Sequence, residues 1–342
     1  MMMNDDEIAN QKEAHRLEKK EQLRKTVKLI RNVILTGILL GTGIYVAVTW
    51  EPAVPPTKTT TDFYAELRSE WIAELLRPLR YSEVDFSMHS NQALLINLSN
   101  GRVLFSHHSD EIIYPASVTK IMTVLIGIER STMDEDVLIQ ADFEALHFAG
   151  ASQSGFGPGE VRSMSDVLHG IMLPSGAEAT AALTYHIADG EAGFVALMNE
   201  KAQELGMINT NFTNATGLHD DDHHTTADDI AILLTYALEN PDFRRIFTAQ
   251  TYELSVPNYF GTVMSSTLFA NLMTNEVEGG LIIGGRTGFT LEGGRCLASL
   301  ATDGEDEYVL ITFGAMAPDA FTNTTNHILD AVVIYEYFFR AY

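Results

Sequence analysis

Apolar residues recur along this chain with two different periods, which separate strand-forming from helix-forming stretches. Short apolar runs bounded by turn residues predict strands, and the first two flank Asn100-Gly101, a pair typical of tight hairpins. Apolar positions three to four residues apart predict helices. Strands are predicted at 93–98, 102–105, 281–284, 296–302 and 308–314. Helices are predicted at 117–129, 165–173, 178–188, 193–205, 227–239 and 326–339.

The order of these elements favours a single folded domain at 81–342. A hairpin first, helices in the middle and strands last predicts one mixed sheet with a helical insertion. The final helix, rich in aromatic residues at 332–342, is predicted to pack against that sheet.

A run of 18 residues without a charge, at 33–50, precedes this domain. It is long enough to cross a bilayer core as a helix. Lys25, Lys28 and Arg31 precede the run, and by the positive-inside rule they place residues 1–31 in the cytoplasm and the domain outside the cell. We expect a single-pass membrane anchor at 32–50, then a linker and a helix at 51–80. A cleaved signal peptide is the alternative, and either segment implies export.

Composition and charge narrow the function classes. The 342 residues are 46% hydrophobic and 20% charged, which excludes a disordered tail, a collagen-like repeat and a multi-span transporter. The net charge is −24; residues 1–31 carry +2 (8 − 6) and the rest −26 (14 − 40). Such an acidic domain argues against a nucleic-acid partner. The single cysteine, Cys296, excludes a disulfide framework and is expected to be a small buried apolar residue.

The first candidate chemistry is a Ser-x-x-Lys motif at Ser117 and Lys120. A serine hydroxyl is a poor nucleophile until a base takes its proton, and residues three apart at a helix start share one face. Lysine is such a base where burial or nearby positive charge lowers its pKa. Alone the motif is weak evidence for catalysis, because most such sequences are a serine helix cap followed by an exposed lysine.

Two more short motifs follow. Ser175-Gly176 lies between predicted helices, where it is normally a cap and a turn. Arg286-Thr287 lies in a strand pattern at 284–290, where a fixed cation beside a hydroxyl can grip a carboxylate, although a solvated surface arginine is the ordinary alternative. The combination is more specific, because 58 residues separate Ser117 from Ser175 and 111 separate Ser175 from Arg286.

That order is the order of the penicilloyl-serine enzymes. Over about 93–314, two thirds of its length, the chain resembles the serine-type D-alanyl-D-alanine carboxypeptidases, the low-molecular-weight penicillin-binding proteins. The resemblance rests on PASVTKIMT at 115–123, GPGE at 157–160, LPSG at 173–176, MNEKA at 198–202, ELGM at 204–207, NTNF at 209–212, NATGL at 214–218 and RTGFT at 286–290.

The resemblance implies an α/β fold of the penicillin-binding and serine β-lactamase type, with a mostly antiparallel sheet flanked by helices and a helical subdomain. It implies that Ser117 attacks the D-Ala-D-Ala carbonyl of a peptidoglycan stem peptide, with Lys120 as general base and Ser175 as proton relay. Arg286 and Thr287, with Gly288 in the same motif, would hold the terminal carboxylate. The backbone N–H groups of Ser117 and Phe289 would form the oxyanion hole. β-Lactams would acylate the same serine, and neither a cofactor nor a metal is implied.

The chain departs from the family pattern at two motif positions. Ala177 stands where the family has asparagine, and Arg286 where it has lysine. Glu178 follows where the family often has aspartate, and it is a possible partial substitute for the missing amide. We also expect the family's second, all-β domain and its C-terminal membrane anchor to be missing, with the N-terminal span as the substitute anchor.

Other functions remain open at this point. A non-catalytic wall-binding or scaffold protein would explain Ala177, whereas a β-lactamase would need a deacylation base that we do not find after Ser175-Gly176. Endopeptidase action on cross-links would use the same site. The run from His219 to His224 has the composition of a metal site, but its residues are consecutive and we expect an ordinary loop. The glycine-rich stretch at 155–159 is expected to be a turn.

Overall fold

Among the residues that the structure describes, the first strands lie beside the last strands in one sheet of seven. The computed structural model describes residues 79–80, 83–140, 151–316 and 325–341. The strands within these ranges are β1 (Leu79–Arg80), β2 (Gln92–Asn97), β3 (Arg102–His107), β4 (Asp136–Leu138), β5 (Val161–Ser163), β6 (Thr251–Asn258), β7 (Gly261–Ser265), β8 (Glu276–Val277), β9 (Gly280–Thr290), β10 (Gly294–Thr302) and β11 (Glu307–Ala315). The main sheet has the order β1-β3-β2-β11-β10-β9-β8, and β4–β5 and β6–β7 are separate pairs. All these pairs are antiparallel except β1 with β3.

Helices fill the middle of the chain and its end. They are α1 (Lys120–Arg130), α2 (Met164–Met172), α3 (Ala177–Ala188), α4 (Glu191–Leu205), α5 (Ala227–Leu238), α6 (Pro241–Phe247) and α7 (Asn326–Ala341), with 3₁₀ turns at Ala116–Thr119 and Phe269–Asn271. The predicted order of hairpin, helices, strands and final helix is confirmed, and so is the mixed sheet with a helical insertion.

Two apolar layers cover the two faces of the sheet. Along β2, Leu94 belongs to the cluster on the side of α1–α6, whereas Ala93 and Leu95 belong to the cluster beneath α7. This alternation follows from the two-residue period of a strand. Helix α7 buries Tyr335 and Phe338 in the second cluster. The predicted packing of the C-terminal helix against the sheet is therefore confirmed.

The hairpin predicted around Asn100-Gly101 joins β2 to β3. Gly101 has a φ of 70°, a left-handed conformation that glycine adopts without strain. Strand β2 also pairs with β11, with Gln92 opposite Phe313. Strand β2 is therefore an interior strand of the sheet, between β3 and β11. Its side chains are buried on both faces, which explains its nearly continuous apolar sequence.

Several elements differ from the sequence-based prediction. The helix predicted from Ser117 begins as the 3₁₀ turn, and α-helical geometry starts at Lys120. The strand predicted at 281–284 is part of the longer β9, because pairing with β10 continues to Thr290. The β6–β7 hairpin and α6 were not predicted, although alternating apolar residues in β6 and the Asn240 cap with Pro241 at the start of α6 are recognisable signals.

The predicted anchor at 32–50 and nearly all of the predicted linker and helix at 51–80 lie outside the described residues. Among the residues that the structure does describe, no helix combines the length and the apolar character needed to cross a membrane.

Candidate active site

The three motifs meet at one point between the helices and the edge of the sheet. Ser117 Oγ lies 3.1 Å from Ser175 Oγ and 3.5 Å from Lys120 Nζ, which donates towards it. Arg286 Nη2 donates a hydrogen bond to Ser175 Oγ. Two hydroxyls, an amine and a guanidinium therefore form one continuous chain of contacts.

The backbone around the two hydroxyls is unusual. Ala116, immediately before Ser117, has a φ of 48°, and Ser175 has a φ of 74°. Non-glycine residues in this region cost about 1–3 kcal/mol each, and such strain is concentrated at functional sites. The sharp entry into the 3₁₀ turn leaves Ser117 partly exposed at the start of the helix, whereas Lys120 is only 2% exposed.

Lys120 has the surroundings of a base rather than of a surface cation. Burial lowers its pKa well below the ordinary value, the positive charge of Arg286 lowers it further, and the Glu178 carboxylate acts in the opposite direction. Its Nζ donates to the Thr216 carbonyl at 2.5 Å. The environment therefore favours the neutral amine, whose lone pair can accept the proton of Ser117.

The loop after α4 orients this lysine. Asn214 Oδ1 accepts hydrogen bonds from the N–H groups of Thr216 and Gly217, and Thr123 Oγ1 donates to the Ala215 carbonyl at 2.7 Å. Gly217 has a φ of 79°, and a Cβ there would lie 1.9 Å from the Ala116 carbonyl oxygen. The loop can approach the nucleophile this closely only because residue 217 has no side chain.

His223 joins the same loop to the 3₁₀ turn. Its Nδ1 accepts from the Thr213 N–H at 3.0 Å, and its Nε2 lies 2.8 Å from Thr119 Oγ1. An acceptor at Nδ1 requires the neutral ring with its proton on Nε2. Burial lowers the pKa of His223 to about 4, which keeps this form. Among the described residues no group of His, Cys, Asp and Glu side chains could hold a metal ion.

Arg286 is placed differently from the carboxylate grip that its sequence context suggests. The side chain is fully buried, and its Nε and Nη1 donate to the carbonyls of Ser117 and Met172 at 3.0 and 2.8 Å. With the bond to Ser175, three of its five N–H donors are already used inside the protein. A direct bidentate contact with a substrate carboxylate does not match this burial, because nothing outside the protein reaches the guanidinium.

Glu178 occupies the first turn of α3 and holds the neighbouring loop. Its Oε1 accepts from the backbone N–H groups of Ser154, Gly155 and Phe156 at 2.6, 2.7 and 3.2 Å. Its Oε2 is buried without a hydrogen-bond partner among the described residues, and burial raises its pKa. Glu178 therefore fixes a loop and places an acidic group near Lys120, whereas Ala177 beside it offers no polar atom in its side chain.

Strand β9 forms the other wall of the site. A Cβ at Gly288 would lie 2.8 Å from Ser117 N, so the strand backbone lies directly against the nucleophile's turn. The Thr287 hydroxyl is 2.7 Å from that of Thr267, and the Phe289 ring is 45% exposed. The sequence predicted Thr287, Gly288 and Phe289 at the site, and the structure places all three on this wall.

Several site residues were not predicted from the sequence. Thr216 contributes a backbone carbonyl, which carries no side-chain signal, and Thr267 is a common residue type outside the motifs. Thr119 lies inside the motif at 115–123, but the motif does not indicate a role for it. His223 was noticed for its composition, but its contact with Thr119 depends on a chain reversal that the local pattern does not contain. Cys296 is fully buried as predicted, and burial raises its pKa to about 12.

Comparison with known proteins agrees with this geometry. Residues 80–317 match the profile of a family described as D-alanyl-D-alanine carboxypeptidase. A D-alanyl-D-alanine carboxypeptidase of Bacillus subtilis is 32% identical over 253 residues, which cover 72% of this chain and 62% of that protein. A D-alanyl-D-alanine endopeptidase of Pseudomonas aeruginosa is 30% identical over 246 residues, or 71% and 74% of the two chains. The chain spans about three fifths of the length of the first carboxypeptidase relatives.

Solved structures share the fold. A DD-transpeptidase of Streptomyces aligns with a TM-score of 0.63 at 22% identity, over 75% of this chain and 98% of the other. A D-alanyl-D-alanine carboxypeptidase of Mycobacterium tuberculosis aligns with a TM-score of 0.63 at 23% identity, over 74% and 92%. The predicted fold class, an α/β penicillin-binding-like fold with a mostly antiparallel sheet, is therefore confirmed.

Proposed function

Because the chain belongs to the D-alanyl-D-alanine carboxypeptidase family, we propose that it removes the terminal D-alanine from peptidoglycan stem peptides through an acyl-enzyme on Ser117. One observation carries this proposal: Ser117 Oγ lies between a second hydroxyl, that of Ser175, and a buried lysine whose pKa is lowered. That arrangement supplies a nucleophile, its base and a route for the proton.

In the acylation step, Ser117 Oγ attacks the carbonyl between the two D-alanines while its proton moves to Lys120 Nζ. The C–N bond then breaks, and the proton held by Lys120 is relayed through the Ser175 hydroxyl to the departing amine, so that free D-alanine leaves, an ester remains on Ser117, and Lys120 is neutral again. Water hydrolyses the ester and restores the hydroxyl. The backbone N–H groups of Ser117 and Phe289 would stabilise the oxyanion, a contribution typically worth about 100- to 1,000-fold in rate per donor.

The two departures from the family pattern affect rate more than chemistry. Arg286 keeps the positive charge that depresses the pKa of Lys120 and orients the Ser175 hydroxyl, and the Thr287 hydroxyl is the polar group offered to the substrate carboxylate. Ala177 cannot supply the amide hydrogen bond. Its loss costs about 1–3 kcal/mol, or about 5- to 150-fold in rate, which slows the enzyme without abolishing its activity.

The test is covalent trapping followed by turnover. The fragment from Asp62 onward is incubated with benzylpenicillin, and intact mass is compared between the wild type and Ser117→Ala. We expect a penicilloyl adduct on the wild type alone, and release of D-alanine from a D-Ala-D-Ala peptide by the wild type alone. Absence of an adduct on both proteins would contradict the proposal and favour a wall-binding scaffold. Rapid loss of the adduct without D-alanine release would favour a β-lactamase.

Endopeptidase action is a second candidate, since the relative from Pseudomonas aeruginosa is named for it. Both reactions use the same acyl-enzyme and differ in the leaving group. Cross-linked and uncross-linked muropeptides offered in equal amounts separate them, because an endopeptidase converts dimers to monomers.

We also propose that the charge-free run at 33–50 anchors the chain in the cell membrane with the catalytic domain outside. The run's length and its basic flank support this placement. The full chain should stay with the membrane after carbonate extraction and be digested by protease added to spheroplasts. Release by carbonate, or a mature protein beginning after residue 50, would contradict it.

A further inference from the structure

Two aromatic side chains project into solvent at the tip of the β6–β7 hairpin. Tyr259 is 88% exposed and Phe260 is 64% exposed, and their ring centroids lie 5.4 Å apart with an angle of 77° between the rings. Val256 and Val263 on the same hairpin are exposed as well. Neighbouring apolar groups left in water on one element are typical of a binding surface. We call Tyr259 and Phe260 the hairpin-tip pair.

Hydrogen bonds to a neighbouring loop fix the backbone of this tip. Asn258 Nδ2 donates to the Ser154 carbonyl at 2.5 Å, and the Tyr259 N–H donates to the Gly155 carbonyl at 2.9 Å. Asn258 Oδ1 accepts from the Phe260 N–H at 2.8 Å. The β6–β7 register also shifts just before the tip, and such bulges redirect side chains. The pair is therefore held in place before any ligand arrives, which lowers the entropic cost of binding.

A buried arginine supports the hairpin from the protein side. Arg162 is 4% exposed, and it donates to the carbonyls of Val256 and Pro257 at 2.6 and 3.1 Å. The same guanidinium donates to the Glu160 carboxylate at 2.6 Å and lies over the Phe156 ring. Burying a charge is costly unless it is paired and hydrogen-bonded. Here the bonds that satisfy the buried charge also hold the strand that leads to the tip.

The tip is continuous with the catalytic groups. A Cβ at Gly155 would lie 2.5 Å from Phe260 Cδ2, and a Cβ at Gly176 would lie 1.7 Å from Ser154 Oγ. Since Gly176 follows Ser175, the Phe260 ring is at most about 20 Å from Ser175, at about 4 Å per residue step. A stem peptide of about four residues spans up to about 14 Å. With the scissile bond at the nucleophile, the sugar at the other end of the stem peptide can therefore reach the tip.

Charge separates the possible ligands of the hairpin-tip pair. The chain after residue 31 carries a net charge of −26 (14 − 40), so an anionic lipid surface, an anionic polymer or a second copy of the chain would be repelled. The amino sugars of a glycan strand are neutral once the stem peptide is attached. Their C–H faces match an aromatic ring, and the Tyr259 hydroxyl can exchange hydrogen bonds with sugar hydroxyls.

We propose that the hairpin-tip pair binds the amino-sugar rings of the glycan strand that carries the stem peptide. This inference rests on the proposed function and extends the site from the scissile bond to the sugar end of the substrate. The loop of Ser154 and Gly155, which Glu178 also holds, connects the pair to the catalytic groups. The enzyme should therefore prefer stem peptides attached to sugar over free peptides.

The first test compares D-alanine release from a free pentapeptide and from the same peptide on its disaccharide. The full chain is used in a polyoxyethylene detergent, which carries no sugar. Tyr259→Ser combined with Phe260→Leu should lower kcat/KM for the disaccharide peptide about 5- to 50-fold, as expected for loss of two aromatic contacts. The free peptide should stay within about twofold. Tyr259→Phe keeps the ring and should keep the preference, and Tyr185→Ser, at an exposed tyrosine on α3, should affect neither substrate.

Binding of a tetramer of N-acetylglucosamine separates this proposal from the proposed function, because it requires no turnover. In the Ser117→Ala background, calorimetry should detect the tetramer, and the double substitution should weaken its binding about 5- to 50-fold. This result supports the sugar role even where no D-alanine is released. Absence of tetramer binding would overturn the proposal, and so would equal losses of kcat/KM for the two peptides. Loss of dimerisation or of vesicle binding in the double variant, with sugar binding unchanged, would assign the pair to another partner and also overturn it.

Discussion

Two charged side chains act on Lys120 in opposite directions. Burial is the largest cause of its lowered pKa, Arg286 adds to it and Glu178 opposes it. The amine accepts the Ser117 proton only when it is neutral, so acylation should slow as pH falls through the pKa of Lys120. Arg286 and Glu178 therefore both control the acid limb of the pH–rate profile, the range in which the acylation rate falls as pH falls. Each of the two charges can be removed separately.

Replacing Arg286 by glutamine should move the acid limb to higher pH. Removing a positive charge favours the protonated amine, so the pKa of Lys120 rises and a higher pH is needed to deprotonate it. The measurement is the second-order rate constant for benzylpenicillin acylation against pH. Arg286→Lys, which restores the family's residue and keeps the charge, is the control and should retain the wild-type limb. A limb that moves equally in both variants would point to lost packing instead of lost charge.

Glu178→Gln should produce the opposite displacement. Removing the negative charge lowers the pKa of Lys120 further, and the acid limb should move to lower pH. The new amide oxygen can still accept from Ser154, Gly155 and Phe156, so the loop should stay in place. The same acylation series checks this, with the thermal midpoint as a measure of folding. An unchanged limb in a folded variant would show that Glu178 holds the loop without acting on Lys120.

At the scale of elements, the site depends on how closely β9 approaches the 3₁₀ turn. The sequence predicted the wall through the Arg286–Phe289 motif but not the approach itself, which requires Gly288 to have no side chain. Likewise, the sequence predicted a helix from Ser117, but the 3₁₀ turn that precedes Lys120 and the left-handed Ala116 before the nucleophile were not predicted. Backbone contacts between distant segments leave little trace in local patterns.

Gly288→Ala should impair catalysis more than folding. The added methyl would lie 2.8 Å from Ser117 N and 3.1 Å from Ala116 Cβ, so the strand or the turn must shift. A displacement approaching 1 Å at a reacting centre can cost about 100-fold in rate, and we expect acylation to slow by about 10- to 100-fold. Gly127→Ala is the control, since its methyl meets only flexible leucine ends. Acylation at the wild-type rate in Gly288→Ala would show that the approach is not needed.

At the scale of the molecule, an early strand of the described residues pairs with a late one. Strand β2 pairs with β11 along six residues, from Asn97 opposite Tyr308 to Gln92 opposite Phe313. The order of elements predicted one sheet with a helical insertion. It did not predict which strands are neighbours, because pairing across more than two hundred residues is set by packing against both helical layers. The fold also buries histidines that are remote from one another in sequence.

Three of these histidines, His169, His223 and His327, link folding to pH. Burial lowers the pKa of each to about 4, whereas the ordinary value of 6.5 applies in the unfolded chain. Between about pH 6.5 and 4 the unfolded chain takes up protons that the folded protein excludes, so stability falls as pH falls through this window. The raised pKa of Glu178 has the opposite effect on stability, because above its ordinary pKa the folded protein holds a proton that the unfolded chain releases. One proton on Glu178 opposes one proton on each of three histidines, so we expect the net stability to fall with pH.

Denaturant unfolding from pH 7 to pH 4.5 measures this dependence. His169→Gln should reduce the slope of the free energy of unfolding against pH near pH 5–6 by up to about 1.4 kcal/mol per pH unit, the contribution of one proton. A wild-type slope near zero in this window would mean that the three histidines are protonated in the folded protein. The neutral ring that joins His223 to Thr119 beside the base would then be excluded as well.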